Sequence, residues 1–285
     1  MALDTLVTPE ELAAYIDDSS WRVFDCRHDL IRPEAGELAY REAHIRNAQF
    51  LHLDRDLSGP KTGTNGRHPL PDAAVLAAKL AQCGVSSETQ VVAYDDAGSM
   101  YAVRLWWLLR WLGHDKVAVL DGGLPAWQRA GYPVTQDVPT PKPAVFNWRV
   151  SDEPVDAAYV LSHLQDPQVL LVDSRGADRF CGENETIDPV AGHIPGAINR
   201  PFRDNLDTDG RFKSAGKLRE EFGQILKRHP PERVVAYCGS GVSACHNLLA
   251  LELAGLRGAR LYPGSWSEWC SDATRPMTTG ADENS

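Results

Sequence analysis

The sequence lacks the features that would place it in several special classes of protein. Its 285 residues contain no low-complexity tract, no run of Lys and Arg, and no stretch near the ~20 apolar residues of a membrane span. Its first residues have neither the basic start nor the apolar run of a signal peptide. The net charge of −10 is the opposite of the basic character that a nucleic-acid partner normally requires. We therefore expect neither a nucleic-acid partner nor a membrane partner.

The cysteines are also too scattered for a metal or redox motif. There is no CxxC pair and no Cys/His cluster with zinc spacing. The six positions are Cys26, Cys83, Cys181, Cys238, Cys245 and Cys270. We expect reduced thiols in a cytoplasmic protein, with no metal and no cofactor.

What the sequence does contain is an internal repeat. Four features recur in the same order in the two halves, which makes chance an unlikely cause. They are Asp-x-Arg at 25–27 and 173–175, His-Ile at 44–45 and 193–194, Val-Val-Ala-Tyr at 91–94 and 234–237, and a Gly-Trp signature at 122–127 and 264–269. We interpret the chain as a duplication.

Short apolar runs alternate with helical patterns in both halves. This alternation predicts two α/β domains in tandem, each a mainly parallel sheet with helices on both faces. The predicted strands are 91–94, 117–120, 169–172, 234–237 and 259–262, and a helix is predicted over 101–112. Prolines between 133 and 143 favour an extended tether. The predicted division is a first domain over 1–138, a linker over 139–149, and a second domain over 150–285.

One cysteine stands where a nucleophile is expected. The apolar run 234–237 stops at Cys238, a Gly/Ser loop follows, and a helical pattern begins near residue 245. Strand, thiol, loop and helix in that order aim backbone N–H groups at the sulfur and stabilise a thiolate. The matching position in the first half is Asp95, which cannot act as a thiol nucleophile. We predict one catalytic half and one silent half.

These motifs together resemble the two-domain rhodanese-type sulfurtransferases, over nearly the whole chain. The residues that carry the resemblance are 173–175, 192–197, 237–244 and the two Gly-Trp endings. The loop Cys-Gly-Ser-Gly-Val-Ser at 238–243 is similar to that of the 3-mercaptopyruvate branch. Thiosulfate-preferring relatives usually carry basic side chains there, and this loop has none.

The resemblance implies a two-step sulfur transfer. Cys238 takes sulfur from a small anionic donor, with 3-mercaptopyruvate favoured, and stores it as a persulfide. Gly239, Gly241, Val242 and Ser243 form the loop that binds the sulfur and the donor. The acceptor is a thiol, such as thioredoxin or glutathione, or cyanide. Thiosulfate:cyanide transfer as the main activity remains the alternative.

The resemblance also implies a proton relay. Ser240 matches the loop serine that works in the family with an aspartate and a histidine of the first domain. Asp54 and His68 are the best matches here. Such a relay protonates the departing enolate or eases deprotonation of the thiol.

The expected contacts to the donor anion are incomplete. Arg179 matches the family arginine that binds the carboxylate or sulfonate of the donor. Mercaptopyruvate enzymes usually carry a second arginine where this chain has Thr186, within an acidic stretch. Arg200 or Arg203 are the candidates to replace it, and a shift in donor preference is the other possibility.

Two other functions fit part of the pattern. A cysteine phosphatase also places its cysteine in a loop between strand and helix, but that loop ends in an arginine, and the comparable residues here are Ser243 and Ala244. A non-catalytic binding module fits the first half well and the second badly, because Cys238 retains its whole loop.

Overall fold

The computed structural model describes residues 3–151 and 153–281, and the chain divides into two compact units. The first comprises Met1–Gly59, Leu70–Glu153 and Asp209–Arg211. The second comprises Pro60–Pro69, Pro154–Thr208 and Phe212–Ser285. Each unit therefore includes a short segment that the chain order assigns to the other half.

The strands of the first unit form one parallel sheet and one small antiparallel pair. They are β1 (Leu6–Val7), β2 (Trp21–Asp25), β3 (His44–Ile45), β4 (Ala48–Phe50), β5 (Gln90–Tyr94), β6 (Val117–Leu120) and β7 (Val134–Thr135). The parallel sheet has the order β1-β6-β5-β2-β4, and β3 pairs with β7. The buried, Val-rich strand β5 lies at its centre, as is usual for a parallel sheet covered by helices.

Five helices connect these strands. They are α1 (Pro9–Tyr15), α2 (Ala35–Glu42), α3 (Ala73–Gln82), α4 (Ala102–Trp111) and α5 (Gly123–Arg129). Helix α1 begins with a capping box, in which Thr8 accepts the N–H of Glu11 and Glu11 accepts the N–H of Thr8. Helix α4 lies one residue inside each end of the predicted span 101–112.

The second unit repeats this plan with a smaller sheet. Its strands are β8 (Leu170–Asp173), β9 (Ile198–Asn199), β10 (Val234–Tyr237) and β11 (Arg260–Leu261), in the parallel order β11-β10-β8-β9. Its helices are α6 (Ala157–Ser162), α7 (Ala177–Cys181), α8 (Ala215–Leu226), α9 (Ala244–Leu253) and α10 (Ser265–Trp269), with 3₁₀ turns at Phe202–Asn205 and Pro231–Arg233. The predicted α/β class with two parallel sheets is confirmed.

The repeat extends to individual hydrogen bonds. In the first unit Arg27 Nη2 lies 2.7 Å from Asp25 Oδ2, and in the second Arg175 Nη2 lies 2.6 Å from Asp173 Oδ2. Each arginine also donates to a backbone carbonyl at the start of the next His-Ile motif, at 2.7 Å in both units. The Asp-x-Arg motifs are therefore buried framework ion pairs.

The segment 136–149, which follows β7, forms no helix or strand and packs on the first unit. The N–H of Ala144 donates to the carbonyl of Ala81 at 2.9 Å, and the N–H of Arg149 donates to that of Leu112 at 3.0 Å. These bonds hold its second part beside α3 and α4. The domain boundaries inferred from the sequence stay a prediction.

No helix within residues 3–151 and 153–281 combines the length and the apolar character that crossing a membrane requires.

Candidate active site

Cys238 lies at the carboxyl end of β10, between β8 and β11, where parallel sheets commonly place their functional loops. Its backbone N–H donates to the Ser265 hydroxyl at 3.1 Å, and its carbonyl accepts the N–H of Trp266 at 2.9 Å. The cysteine is 2% exposed. Ser265 and Trp266 are the first two residues of α10, so the Gly-Trp signature holds the backbone of Cys238 in place through these two hydrogen bonds.

The loop after Cys238 is tightly folded. Gly241 has a φ of +73°, and a Cβ there would lie 2.3 Å from the carbonyl oxygen of Pro263. Only glycine combines this backbone angle with this close approach. Val242 is buried and Ser243 half-buried directly before α9, so the loop delivers the chain into the amino end of that helix.

Ser240 is hydrogen-bonded to His68. The Ser240 Oγ lies 2.7 Å from His68 Nδ1, and both side chains are buried. His68 belongs to residues 60–69, the segment that packs with the second unit, where the N–H of Arg67 donates to Ser267 Oγ at 3.0 Å. The structure thus brings together two of the three residues predicted for the relay.

Arg179 on α7 faces the loop at Gly239. A methyl group on Gly239 would lie 3.6 Å from each terminal nitrogen of its guanidinium. Glu185 binds Arg179 through Nε and Nη2, at 2.9 Å each, and Asp188 accepts a further bond from Nη2 at 2.9 Å. This leaves Nη1 as the Arg179 nitrogen not used by these two carboxylates.

Arg67 is the site residue that sequence reasoning missed. Its Nη2 would lie 2.7 Å from a methyl group on Gly239, and its Nη1 contacts Asp188 Oδ1. The only signal in the sequence was its position next to His68. Its place at the loop depends on how the glycine-rich segment before it folds onto the second unit.

The two suggested replacements for the missing arginine have other contacts. Arg200 binds Glu221 at 2.6 Å and the Asn205 side chain, and the Arg203 guanidinium lies over the Phe202 ring. Thr186 itself is exposed. Arg67 supplies a second guanidinium beside the loop, close to Gly239.

The pKa values of the two carboxylates that bind these arginines are shifted in opposite directions. Burial raises the pKa of Asp188 above its ordinary value, against the opposing pull of Arg67. Burial also disfavours the charged form of Glu185, but the N–H of Asp188 and the Arg179 guanidinium outweigh it and lower the pKa of Glu185.

Asp95, the counterpart of Cys238, lies in a cradle of backbone N–H groups in the first unit. Its buried carboxylate accepts four N–H groups at 2.7 to 2.9 Å, those of Ala97, Ser99, Tyr101 and Ala102. Burial raises the pKa of Asp95, and these N–H donors act in the opposite direction. The loop between β5 and α4 thus surrounds the Asp95 carboxylate with backbone N–H groups.

Asp54 lies in the first unit beside two histidines. His28, His52 and Asp54 form a group whose ligand atoms lie within 4.8 Å of one another, close enough for a metal ion. The Nδ1 of His52, however, accepts the N–H of Asp54 at 3.1 Å. The single lone pair of a neutral imidazole is thereby engaged, so His52 is poorly suited as a metal ligand. The role of Asp54 in a relay stays a prediction.

The comparisons with known proteins agree with this geometry. A family model described as "Rhodanese-like domain" matches residues 8–130 and again residues 156–272. The chain belongs to the rhodanese family. The two matches also show that the family domain is present twice, as the repeat in the sequence predicts.

Individual relatives of this rhodanese are similar over the full chain. It is 48% identical over 283 residues to a probable 3-mercaptopyruvate sulfurtransferase of Pseudomonas aeruginosa, covering 98% of this chain and 100% of the relative. It is 40% identical over 283 residues to a putative thiosulfate sulfurtransferase of Mycobacterium tuberculosis, covering 96% and 97%. The solved 3-mercaptopyruvate sulfurtransferase of Leishmania major superimposes with a TM-score of 0.86 at 30% identity, covering 96% of this chain and 76% of that one.

Proposed function

We propose that this enzyme is a sulfurtransferase that moves sulfur from 3-mercaptopyruvate to a thiol or to cyanide through a persulfide on Cys238. The observation that carries the proposal is the setting of Cys238. Cys238 directly follows the buried strand β10 and begins a loop in which the Ser240 hydroxyl is hydrogen-bonded to His68 and two guanidiniums approach Gly239.

The first half-reaction uses both the Ser240–His68 pair and the two guanidiniums. The Cys238 thiolate attacks the sulfur of the donor, and the carbon–sulfur bond breaks with its electron pair left on carbon as the enolate of pyruvate. A proton delivered along His68 and Ser240 converts the enolate to pyruvate. Arg67 and Arg179 bind the donor carboxylate, since a guanidinium matches a carboxylate in both charge and geometry.

The second half-reaction regenerates the enzyme. An acceptor thiolate or cyanide attacks the outer sulfur of the persulfide, the sulfur–sulfur bond breaks, and Cys238 leaves as a thiolate. The proposed acceptors are thioredoxin, glutathione and cyanide, and the proposed location is the cytoplasm. Kinetics of the double-displacement type follow from this sequence of steps.

The first unit supports a role for backbone amides in holding the persulfide. The loop after Asp95 is the counterpart of the loop after Cys238, and its N–H groups bind an anionic side chain at 2.7 to 2.9 Å. A persulfide anion on Cys238 has its negative charge at a comparable place in the repeat. We infer that Gly239, Gly241, Val242 and Ser243 form an equivalent cradle.

Thiosulfate is the competing donor, because the similar protein of Mycobacterium tuberculosis is named a putative thiosulfate sulfurtransferase. The loop after Cys238 favours 3-mercaptopyruvate, since Ser240 and His68 can supply a proton that thiosulfate does not need. Thiosulfate gives its outer sulfur to the cysteine and releases sulfite, so no carbon atom has to be protonated. Only 3-mercaptopyruvate therefore requires a proton donor at this site.

Intact-mass spectrometry tests the proposal. Incubation with 3-mercaptopyruvate is expected to add one sulfur, about 32 Da, which disappears on addition of cyanide. Cys238→Ala is expected to remove the adduct, and Cys83→Ala, at a half-buried cysteine of the first unit, is expected to keep it. A comparison of kcat/KM for the two donors then identifies the preferred one. Absence of an adduct with both donors contradicts the proposal.

A further inference from the structure

The carboxylate of Asp188 lies between the two guanidiniums that reach the Cys238 loop. Its Oδ1 contacts Arg67 Nη1, and its Oδ2 accepts from Arg179 Nη2 at 2.9 Å. The Asp188 side chain is 2% exposed. Because this contact is shielded from solvent, its charge is screened far less than that of a surface carboxylate.

Glu185 places a second carboxylate in the same network. It binds Arg179 through two nitrogens and accepts the backbone N–H groups of Ile187 and Asp188, at 2.9 Å each. Its side chain is as buried as that of Asp188. Arg175 Nη1 also lies 3.5 Å from Glu185, and Arg175 is paired with Asp173. These six side chains carry three positive and three negative charges, so the guanidiniums present N–H donors to the loop without a net positive charge.

We propose that Asp188, with Glu185, sets the charge preference of the donor site, so that donors with one negative charge bind better than donors with two. This inference rests on the proposed function and names the class of donor that the site selects. Each carboxylate repels a donor in proportion to the charge of that donor, so the penalty for a dianion is twice that for a monoanion and offsets the doubled attraction of the guanidiniums. 3-Mercaptopyruvate carries one carboxylate charge, whereas thiosulfate carries two.

A purely structural role for Asp188 would have a different consequence. If Asp188 only held Arg67 and Arg179 in place, its loss would weaken the binding of every anion, and the affinity ratio of dianion to monoanion would stay unchanged or fall, because the attraction of the guanidiniums also scales with the charge of the anion. A role in charge preference changes the ratio between anions of different charge. The ratio is therefore the quantity to measure.

Asp188→Asn is the deciding variant, because the amide has the same shape and its carbonyl oxygen still accepts a bond from one guanidinium. Titration calorimetry gives the affinities of sulfate, a dianion, and pyruvate, a monoanion, without any turnover. We expect the affinity ratio of sulfate to pyruvate to rise about tenfold, as removal of one buried charge near the site implies. The ratio of kcat/KM for thiosulfate to that for 3-mercaptopyruvate is expected to rise in parallel.

Two controls accompany this variant. Asp188→Glu keeps the charge and is expected to keep the ratio near that of the unmodified protein. Asp209→Asn removes an exposed carboxylate that pairs with Arg211, and it is expected to change neither affinity. Glu185→Gln removes the second buried charge and is expected to shift the ratio in the same direction, which keeps the test decisive if Asp188→Asn does not fold.

The outcomes separate this inference from the proposed function. If the protein acquires a sulfur on Cys238 but the sulfate-to-pyruvate ratio is unchanged in Asp188→Asn and Glu185→Gln, the charge-preference role is wrong and the sulfurtransferase function stands. If neither donor adds sulfur to the unmodified protein, the proposed function fails whatever the calorimetry shows. A rise in the ratio in either variant, with Asp188→Glu unchanged, supports the inference.

Discussion

His68 and Ser240 lie 172 positions apart in the chain, and a hydrogen bond of 2.7 Å joins His68 Nδ1 to Ser240 Oγ beside Cys238. The contact is buried within the second unit. It gives the loop a group that can exchange a proton with the reacting donor.

Ser240→Ala is expected to lower turnover of 3-mercaptopyruvate by about 10²-fold, the usual contribution of a positioned acid–base group, and turnover of thiosulfate by less than about threefold. Only the former leaves a carbanion that needs a proton. His68→Gln is expected to give the same pattern, and the double variant little further loss, because the two residues act as a unit. Steady-state kinetics with both donors measure this. Equal losses for the two donors would argue against the relay.

Arg67→Ala and Arg179→Ala are each expected to raise the KM for the donor about tenfold or more, since each removes a charged hydrogen-bond donor from the anion. Discharge of the persulfide by cyanide is expected to stay within about twofold, because the carboxylate is present only in the first half-reaction. Rapid-mixing measurements of the two half-reactions separate these effects. Arg32→Ala, at an exposed arginine of the first unit, is the matched control. A similar loss in both half-reactions would contradict the assignment.

Gly239→Ala is expected to impair donor binding, whereas Gly241→Ala is expected to lower the free energy of unfolding. The Cβ at position 239 meets the far end of the Arg67 side chain, which can shift more easily than backbone, so we expect a higher donor KM and a free energy of unfolding within about 1 kcal/mol of the original. The Cβ at position 241 meets the backbone of Pro263 at a φ of +73°, so we expect a loss of about 2 kcal/mol or more. Urea unfolding and donor kinetics check the pair. The idea fails if Gly239→Ala proves the more destabilising of the two.

Asp95→Asn is expected to destabilise the first unit by about 2–3 kcal/mol. The amide NH₂ would face backbone N–H groups that now donate to a carboxylate oxygen, and each buried donor left unsatisfied is costly. Urea unfolding followed by circular dichroism measures the change, with the exposed Asp115→Asn as control. Sulfur loading of the folded protein is expected to remain. Unchanged stability would show that the cradle does not depend on the charge of Asp95.

His114 is expected to make the first unit sensitive to acid. It is buried against Phe146, and burial lowers its pKa below the ordinary ~6.5, since the neutral ring is favoured in the folded state. Its contribution to stability is therefore complete above pH ~6.5 and is lost as the pH falls through the lowered pKa, by up to about 1.4 kcal/mol per pH unit. His114→Gln is expected to flatten the fall in the free energy of unfolding between about pH 7.5 and 5. A slope retained in His114→Gln would contradict the assignment.

Much of the fold followed from local patterns in the sequence. The buried runs that became β5, β6 and β10 were recognisable from their Val-rich composition, and α4 from the helical pattern over 101–112. Such features depend on residues close together in the chain, where hydrophobic period and capping chemistry act directly. The repeat added the parallel plan of the second sheet.

The position of Cys238 was equally a local matter. A strand, a glycine-rich loop and a helix in succession place the thiol at the carboxyl end of β10, whatever the rest of the chain does. Comparison with Asp95 then distinguished the half that carries a cysteine at this position from the half that carries an aspartate. The sequence by itself therefore determined the fold class, the duplication and the position of Cys238 at the end of a strand.

The surroundings of that sulfur were decided by tertiary structure alone. Residues 60–69 come from the first half of the chain but pack with the second unit, which brings Arg67 to Gly239 and His68 to Ser240. No periodicity or spacing encodes such a contact, because it depends on the path of an irregular loop over a distant surface. For the same reason the sequence showed an acidic stretch at 185–188, and only the fold placed its Asp188 carboxylate between two guanidiniums.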